Sequence, residues 1–119
     1  MNFIRHFAGA AAIAAPVFVL AGSASAADAA AGKEAYLRVG CYTCHGYEGQ
    51  GAATGPRLAP NPMPYEALSA FVRMTSGDMP PFTPPVLSEA DLQNIYAYLQ
   101  SIPPAPDPGT IPLLQQVQQ

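Results

Sequence analysis

Metal-binding side chains are scarce in this chain. Its 119 residues include 2 cysteines, Cys41 and Cys44, and 2 histidines, His6 and His45. His6 lies in a leading segment expected to be removed. What remains is two thiols and one imidazole, short of the four ligands of a structural zinc site. Charge is scarce too, at 11% of residues. Beyond residue 26 the basic side chains are Lys33, Arg38, Arg57 and Arg73. The acids are Asp28, Glu34, Glu48, Glu66, Asp78, Glu89, Asp91 and Asp107. That acidic balance has nothing to attract nucleic acid. No alternating strand pattern and no internal repeat is present, which excludes a sheet protein or a solenoid. The apolar run Phe7 to Leu20 is about 14 residues, short of the ~20 that span a membrane.

Against these absences stands the run Cys41-Tyr42-Thr43-Cys44-His45. Cys-x-x-Cys-His is the attachment sequence for a c-type haem. Its two thiols can each add to one vinyl group of the porphyrin, and the histidine can then bind the iron from below the ring. The same spacing occurs in disulfide redox pairs and in halves of zinc sites. A redox pair calls for a preceding strand and a βαβ context, whereas Ala29 to Val39 reads as helix. A single motif predicts a single covalent haem c, with Cys41, Cys44 and His45 as its attachment and ligating residues. A bound haem fixes the chemistry to a first approximation, and the protein tunes it.

The N-terminus fits this reading. Arg5 gives the positive start, Phe7–Leu20 the apolar run, and Ala24-Ser25-Ala26 a small-residue cleavage site, the layout of a secretory signal peptide. A retained membrane anchor is the alternative. We expect residues 1–26 to be a signal peptide, 27–103 one domain and 104–119 a tail. Export places the chain in the periplasm, with no stable membrane span after cleavage. A domain this small has a marginal apolar core of its own, and a buried porphyrin adds surface to pack against.

Hydrophobic spacing predicts three main helices. Asp28 caps the first, to about Val39, with Gly32, Tyr36 and Val39 on one face and Gly40 as its stop. Gly46 to Pro64 holds four glycines and four prolines, hence a long loop. Pro64 opens a second helix with Tyr65, Leu68, Phe71 and Val72 as its apolar stripe. Met79 to Pro85 is loop again, because prolines remove backbone donors. Ser88 caps the third helix, with Asp91 three residues on and Leu87 and Leu92 at staple positions. Leu92, Ile95, Tyr96 and Leu99 form its stripe. Ala105 to Gln119 reads as an extended tail.

These elements in this order resemble the class I c-type cytochromes, specifically the small single-haem bacterial type. The resemblance spans about residues 29–102. It rests on Gly32 and Tyr36, the haem motif with Gly46, the run Gly55-Pro56-Arg57-Leu58, the pair Met79-Pro80, and the helix ending Ile95-Tyr96-Ala97-Tyr98-Leu99-Gln100. It implies an all-α cytochrome c fold wrapped around one haem, with long loops. It implies that the first and last helices cross tightly, with Gly32 and Tyr36 against Ile95 and Tyr98. It further implies that the Pro56 carbonyl accepts a hydrogen bond from His45 and that Leu58 packs on the ring. Holding the second nitrogen of a ligating imidazole is common at metal sites.

The sixth iron ligand is the open point of the site. Met63, Met74 and Met79 are the methionines outside the leader. Met79 is in loop after a helix and matches the family's Met-Pro element, so it is the expected ligand. Met63 lies between two prolines and is the alternative, while Met74 is expected to fill core. With histidine and methionine on the iron the protein is an electron carrier and not an enzyme. Its expected partners are a dehydrogenase subunit as donor and an oxidase or another cytochrome as acceptor. One lysine beyond the leader argues against docking through a lysine ring. The tail, with Ile111, Leu113 and Leu114, could lie on a partner. The competing class is a five-coordinate haem with peroxidase or gas-sensing activity, which calls for an open distal face with a hydrogen-bond donor.

Overall fold

The computed structural model describes residues 26–117. The leader expected over residues 1–26 therefore lies, Ala26 apart, outside the described residues. Helix α1 spans Ala29–Arg38, α2 Tyr42–His45, α3 Tyr65–Met74, α4 Glu89–Ser101 and α5 Pro112–Val117, with a 3-10 turn at Pro108–Thr110. Among the described residues the only strand-like feature is an isolated bridge between Ala52 and Gly55. The all-α expectation holds, with three main helices and two short ones.

The caps follow the sequence. The Asp28 carboxylate accepts from the Ala30 and Ala31 amides, and the Ser88 hydroxyl from the Asp91 amide. Each cap satisfies donors that the first helical turn leaves unpaired. Helix α1 ends at Arg38, and Gly40 turns the chain with φ 85° into the short α2.

The core forms where α1 crosses α4. Tyr36, Leu87, Leu92 and Leu99 are fully buried, with Ala35, Ile95 and Tyr98 beside them. A fully buried leucine contributes about 1.5–3 kcal/mol. The crossing requires Gly32: a Cβ there would sit 1.9 Å from the Asn94 carbonyl oxygen and 2.9 Å from the Ile95 amide nitrogen. At the same crossing Tyr36 and Tyr98 meet edge to face, ring centres 5.7 Å apart. The partners inferred for Gly32 and Tyr36 are therefore those observed. The Asn94 side chain also accepts from the Asp28 amide at 2.8 Å. An exposed Arg38–Asp91 ion pair at 3.1 Å adds little.

Helix α3 buries Leu68 and Val72. Met74 departs from its expected core-filling role, being 78% exposed. It is the last residue of α3, two positions past the buried Val72. Phe71 is also largely exposed, and it borders a cavity.

The Pro-rich segment after α3 is tied down by one side chain. Arg73 donates through Nη1 to the Phe82 carbonyl at 2.8 Å and to the Leu87 carbonyl at 2.7 Å. Its Nη2 reaches Glu89 at 3.1 Å. Only 16% of the Arg73 side chain is exposed. The Tyr65 hydroxyl donates to the same Glu89 carboxylate. That bond, with Arg73 second, holds the Glu89 carboxyl below its ordinary range, and burial lifts the Tyr65 phenol to about 12.

The tail corrects another expectation. It is extended only from Pro103 to Asp107. Asp107 then caps the 3-10 turn through its carboxylate and the Gly109 amide, and Pro112–Val117 is helical. Ile111 accepts from Leu114 and Gln115, so local turn bonds form where proline density alone suggested none. Leu113 and Leu114 are exposed.

Gly32→Ala should be destabilising although alanine is the better helix former by about 1 kcal/mol. The added methyl meets backbone, which cannot rotate away. A net loss of about 1–3 kcal/mol is expected, read as a Tm lower by roughly 4–8 °C per kcal/mol in thermal unfolding of the haem-loaded protein. An unchanged Tm would refute the tight crossing.

Candidate haem site

Helix α2 is a single turn, and it contains most of the haem motif. The His45 amide donates to the Cys41 carbonyl at 3.0 Å, and Thr43 closes on Gly40 at 3.1 Å. This turn places Cys41 and Cys44 three residues apart on one face. Both line a cavity of about 220 Å³, together with His45.

Among the described residues His45 is the buried polar or charged side chain, only 7% exposed. Its Nδ1 lies 2.8 Å from the Pro56 carbonyl oxygen. A carbonyl can only accept, so Nδ1 carries the proton and donates. The Nε2 lone pair is left free to bind a metal. This contact depends on residue 55 having no side chain. A Cβ at Gly55 would stand 2.5 Å from the Cys44 carbonyl oxygen and 3.0 Å from His45 Nδ1.

The chain after His45 is held from both crossing helices. The Tyr36 hydroxyl donates to the Gly46 carbonyl at 2.8 Å, and the Tyr98 hydroxyl to the Tyr47 carbonyl at 3.0 Å. Burial raises the pKa of both phenols, so they stay protonated donors. Gly51 donates to the His45 carbonyl at 2.8 Å, and Leu58 and Ala59 both donate to Gly49. These bonds fold the loop back so that Pro56 comes under His45.

The cavity wall is almost wholly apolar. Leu58, Leu68, Phe71, Val72, Phe82 and Leu92 contribute to it, with Met63 and Met79. Asp78 is the one carboxylate among the lining residues. A second cleft, on the Val39–Thr43 side, shares Cys41, Cys44, His45, Met79 and Phe82 with the first. Met79 thus borders both, whereas Met63 borders one and is 44% exposed. Met74 borders neither.

The sequence-derived site residues therefore converge. Cys41, Cys44, His45, Pro56, Leu58 and Met79 all line the one cavity. The two tyrosine clamps and the Arg73 fork escaped sequence reading. A tyrosine on a helix face looks like core, and its hydroxyl's target is a backbone atom with no sequence signal. One feature speaks against a dithiol redox centre and another against zinc. Reactive cysteines have depressed pKa values, but burial pushes the Cys41 thiol up to about 11. No group of three or more His, Cys, Asp or Glu suited to a metal ion occurs among the described residues, so a zinc site finds no support there.

The residues present fit a haem. An apolar slot flanked by two thiols, an imidazole with its Nδ1 pre-held and Nε2 free, and thioether sulfurs is the donor set for covalent attachment and iron ligation. Comparison with known proteins gives an independent result. Residues 27–99 match the family described as Cytochrome C oxidase, cbb3-type, subunit III. No curated protein and no solved structure matches. Sequence match and geometry agree: the chain belongs to this family, as an all-α cytochrome c domain with covalently bound haem c that acts in haem-based electron transfer.

Proposed function

We propose that this chain is an exported single-haem electron carrier with His45 and Met79 as its axial ligands, passing electrons from a dehydrogenase to an oxidase. The observation that supports it most is the His45 imidazole, fixed by Pro56 within an apolar cavity that both thiols and Met79 border. When bound, the haem supplies a one-electron iron couple, and methionine with histidine raises its potential. The chain supplies the rest. Cys41 and Cys44 hold the ring, Pro56 orients the imidazole, and Leu58, Leu68 and Val72 exclude water. Met79 would supply the second protein ligand to the iron.

Met79 is preferred to Met63 because it packs against the core and borders both clefts. A carrier is preferred to a peroxidase because the described lining residues offer no second histidine and no arginine to act on a bound ligand. Export is supported by the leader's three-part pattern. No helix among the described residues is long and apolar enough to cross a membrane. The family's description as an oxidase subunit favours an oxidase as the acceptor. A dehydrogenase donor that stays bound is favoured by the acidic balance of the chain, with few lysines for transient steering. The exposed Leu113 and Leu114 on α5, beyond an extended spacer, suit a holding contact.

Three outcomes are expected. Acid-acetone extraction of the denatured protein should leave one haem on each polypeptide, since thioether bonds survive it; haem released into the solvent would defeat the assignment of Cys41 and Cys44. Met79→Ala should remove the far-red methionine-to-iron band of the oxidised protein and lower the potential with the haem still attached, and Met63→Leu should keep the band. The reverse pattern transfers the ligand role to Met63. Truncation after Ile102 should leave the spectrum unchanged and weaken copurification with the donor, while undiminished copurification would show that the tail holds nothing.

A further inference from the structure

Met79 sits in a segment with little hydrogen bonding of its own. Between α3 and α4 it carries Pro80, Pro81, Pro84 and Pro85, none of which can donate. The described anchors near Met79 are few. The Phe82 amide donates to the Val72 carbonyl at 2.9 Å, and the Val86 and Leu87 amides close a turn on Thr83. The remaining anchor is Arg73. Its Nη1 spans the segment, gripping the Phe82 carbonyl three residues after Met79 and the Leu87 carbonyl where α4 is about to start.

Arg73 is unusual for a cation in a small acidic protein. Its side chain is mostly buried, and its charge is matched by Glu89, which Tyr65 also holds. Burying a guanidinium is costly unless it is paired and hydrogen-bonded. Here the charge is spent on two neutral backbone carbonyls rather than on a second carboxylate. Both carbonyls accept from Nη1, whose two protons lie in the rigid guanidinium plane while Nη2 is held by Glu89, a fixed geometry that a freely rotating lysine head reproduces poorly. Phe82 and Leu87 both line the cavity, so the gripped segment is its wall.

We infer that Arg73 is a positioning residue that clamps the Met79 segment across the cavity and so sets how readily Met79 leaves the iron. The inference rests on the proposed role of Met79. An external ligand can bind only when Met79 has moved away, so its apparent affinity scales with the fraction of molecules in that open state. Loss of two hydrogen bonds from a charged donor raises that fraction.

The test is imidazole binding to the oxidised, haem-loaded full chain, followed by visible spectroscopy. Arg73→Met should bind imidazole about tenfold tighter or more, given typical strengths of charge-assisted bonds. Arg73→Lys, with one compact donor head, should fall between Arg73→Met and the native protein, and it serves as the measured variant if Arg73→Met fails to fold. The same substitution placed in the Met79→Ala background should change affinity little, because no methionine bond is left to hold. An arginine that only stiffens the fold would change affinity equally in both backgrounds, and that result overturns the inference. So does an affinity within about threefold of native in the Met79-containing protein. If Met79→Ala keeps the far-red band, the ligand assignment has failed and the clamp falls with it. If the band is lost there but Arg73 substitution changes nothing, the clamp alone is wrong.

Discussion

The hydrogen bond from His45 Nδ1 to the Pro56 carbonyl is the contact on which the rest of the site depends. It selects the tautomer, fixes the ring plane and leaves one nitrogen facing the cavity. The bond can form only because Gly55 lets the loop pass against the Cys44 carbonyl. The loop takes that course only because Tyr36 and Tyr98 grip the Gly46 and Tyr47 carbonyls. Those tyrosines stand side by side because α1 and α4 cross at Gly32. The helix crossing and the imidazole orientation are therefore linked by an unbroken series of backbone-directed bonds.

Much of this could be read from the residues. Helices α1, α3 and α4 announced themselves through the Asp28 and Ser88 caps and through apolar spacing, since helix periodicity is a local property. The close approach at Gly32 was legible because a glycine in mid-helix costs stability unless something packs on it. Cys41, Cys44 and His45 were legible because haem attachment imposes a contiguous spacing. The Gly55-Pro56 element was legible only through family resemblance, since its role depends on a loop that returns across ten residues. Arg73 was not legible, because two of its targets are carbonyl oxygens that every residue possesses. The short α5 was hidden by the surrounding prolines, and Met74 was misplaced because a stripe read at 3.6-residue spacing does not reveal where its helix leaves the core.

The cavity's chemistry also explains how a small chain supports a large cofactor. Its walls are side chains that a compact domain would otherwise bury against one another. Leu68, Val72, Leu92 and Leu99 serve both the core and the cavity lining. Folding and cofactor packing therefore draw on the same apolar surface. Asp78, the one carboxylate in the lining, is itself exposed. The rest of the wall is low in polarity, a setting in which charge on the cofactor is felt strongly.

The prolines around Met79 have an entropic consequence. Pro80, Pro81, Pro84 and Pro85 have their φ angles fixed whether or not the chain is folded, and each such residue narrows the unfolded ensemble, by about 0.4–1 kcal/mol where its native angle is compatible. The segment bordering the cavity therefore surrenders little conformational freedom when it orders. A few contacts, rather than a regular ladder of hydrogen bonds, suffice to define its course.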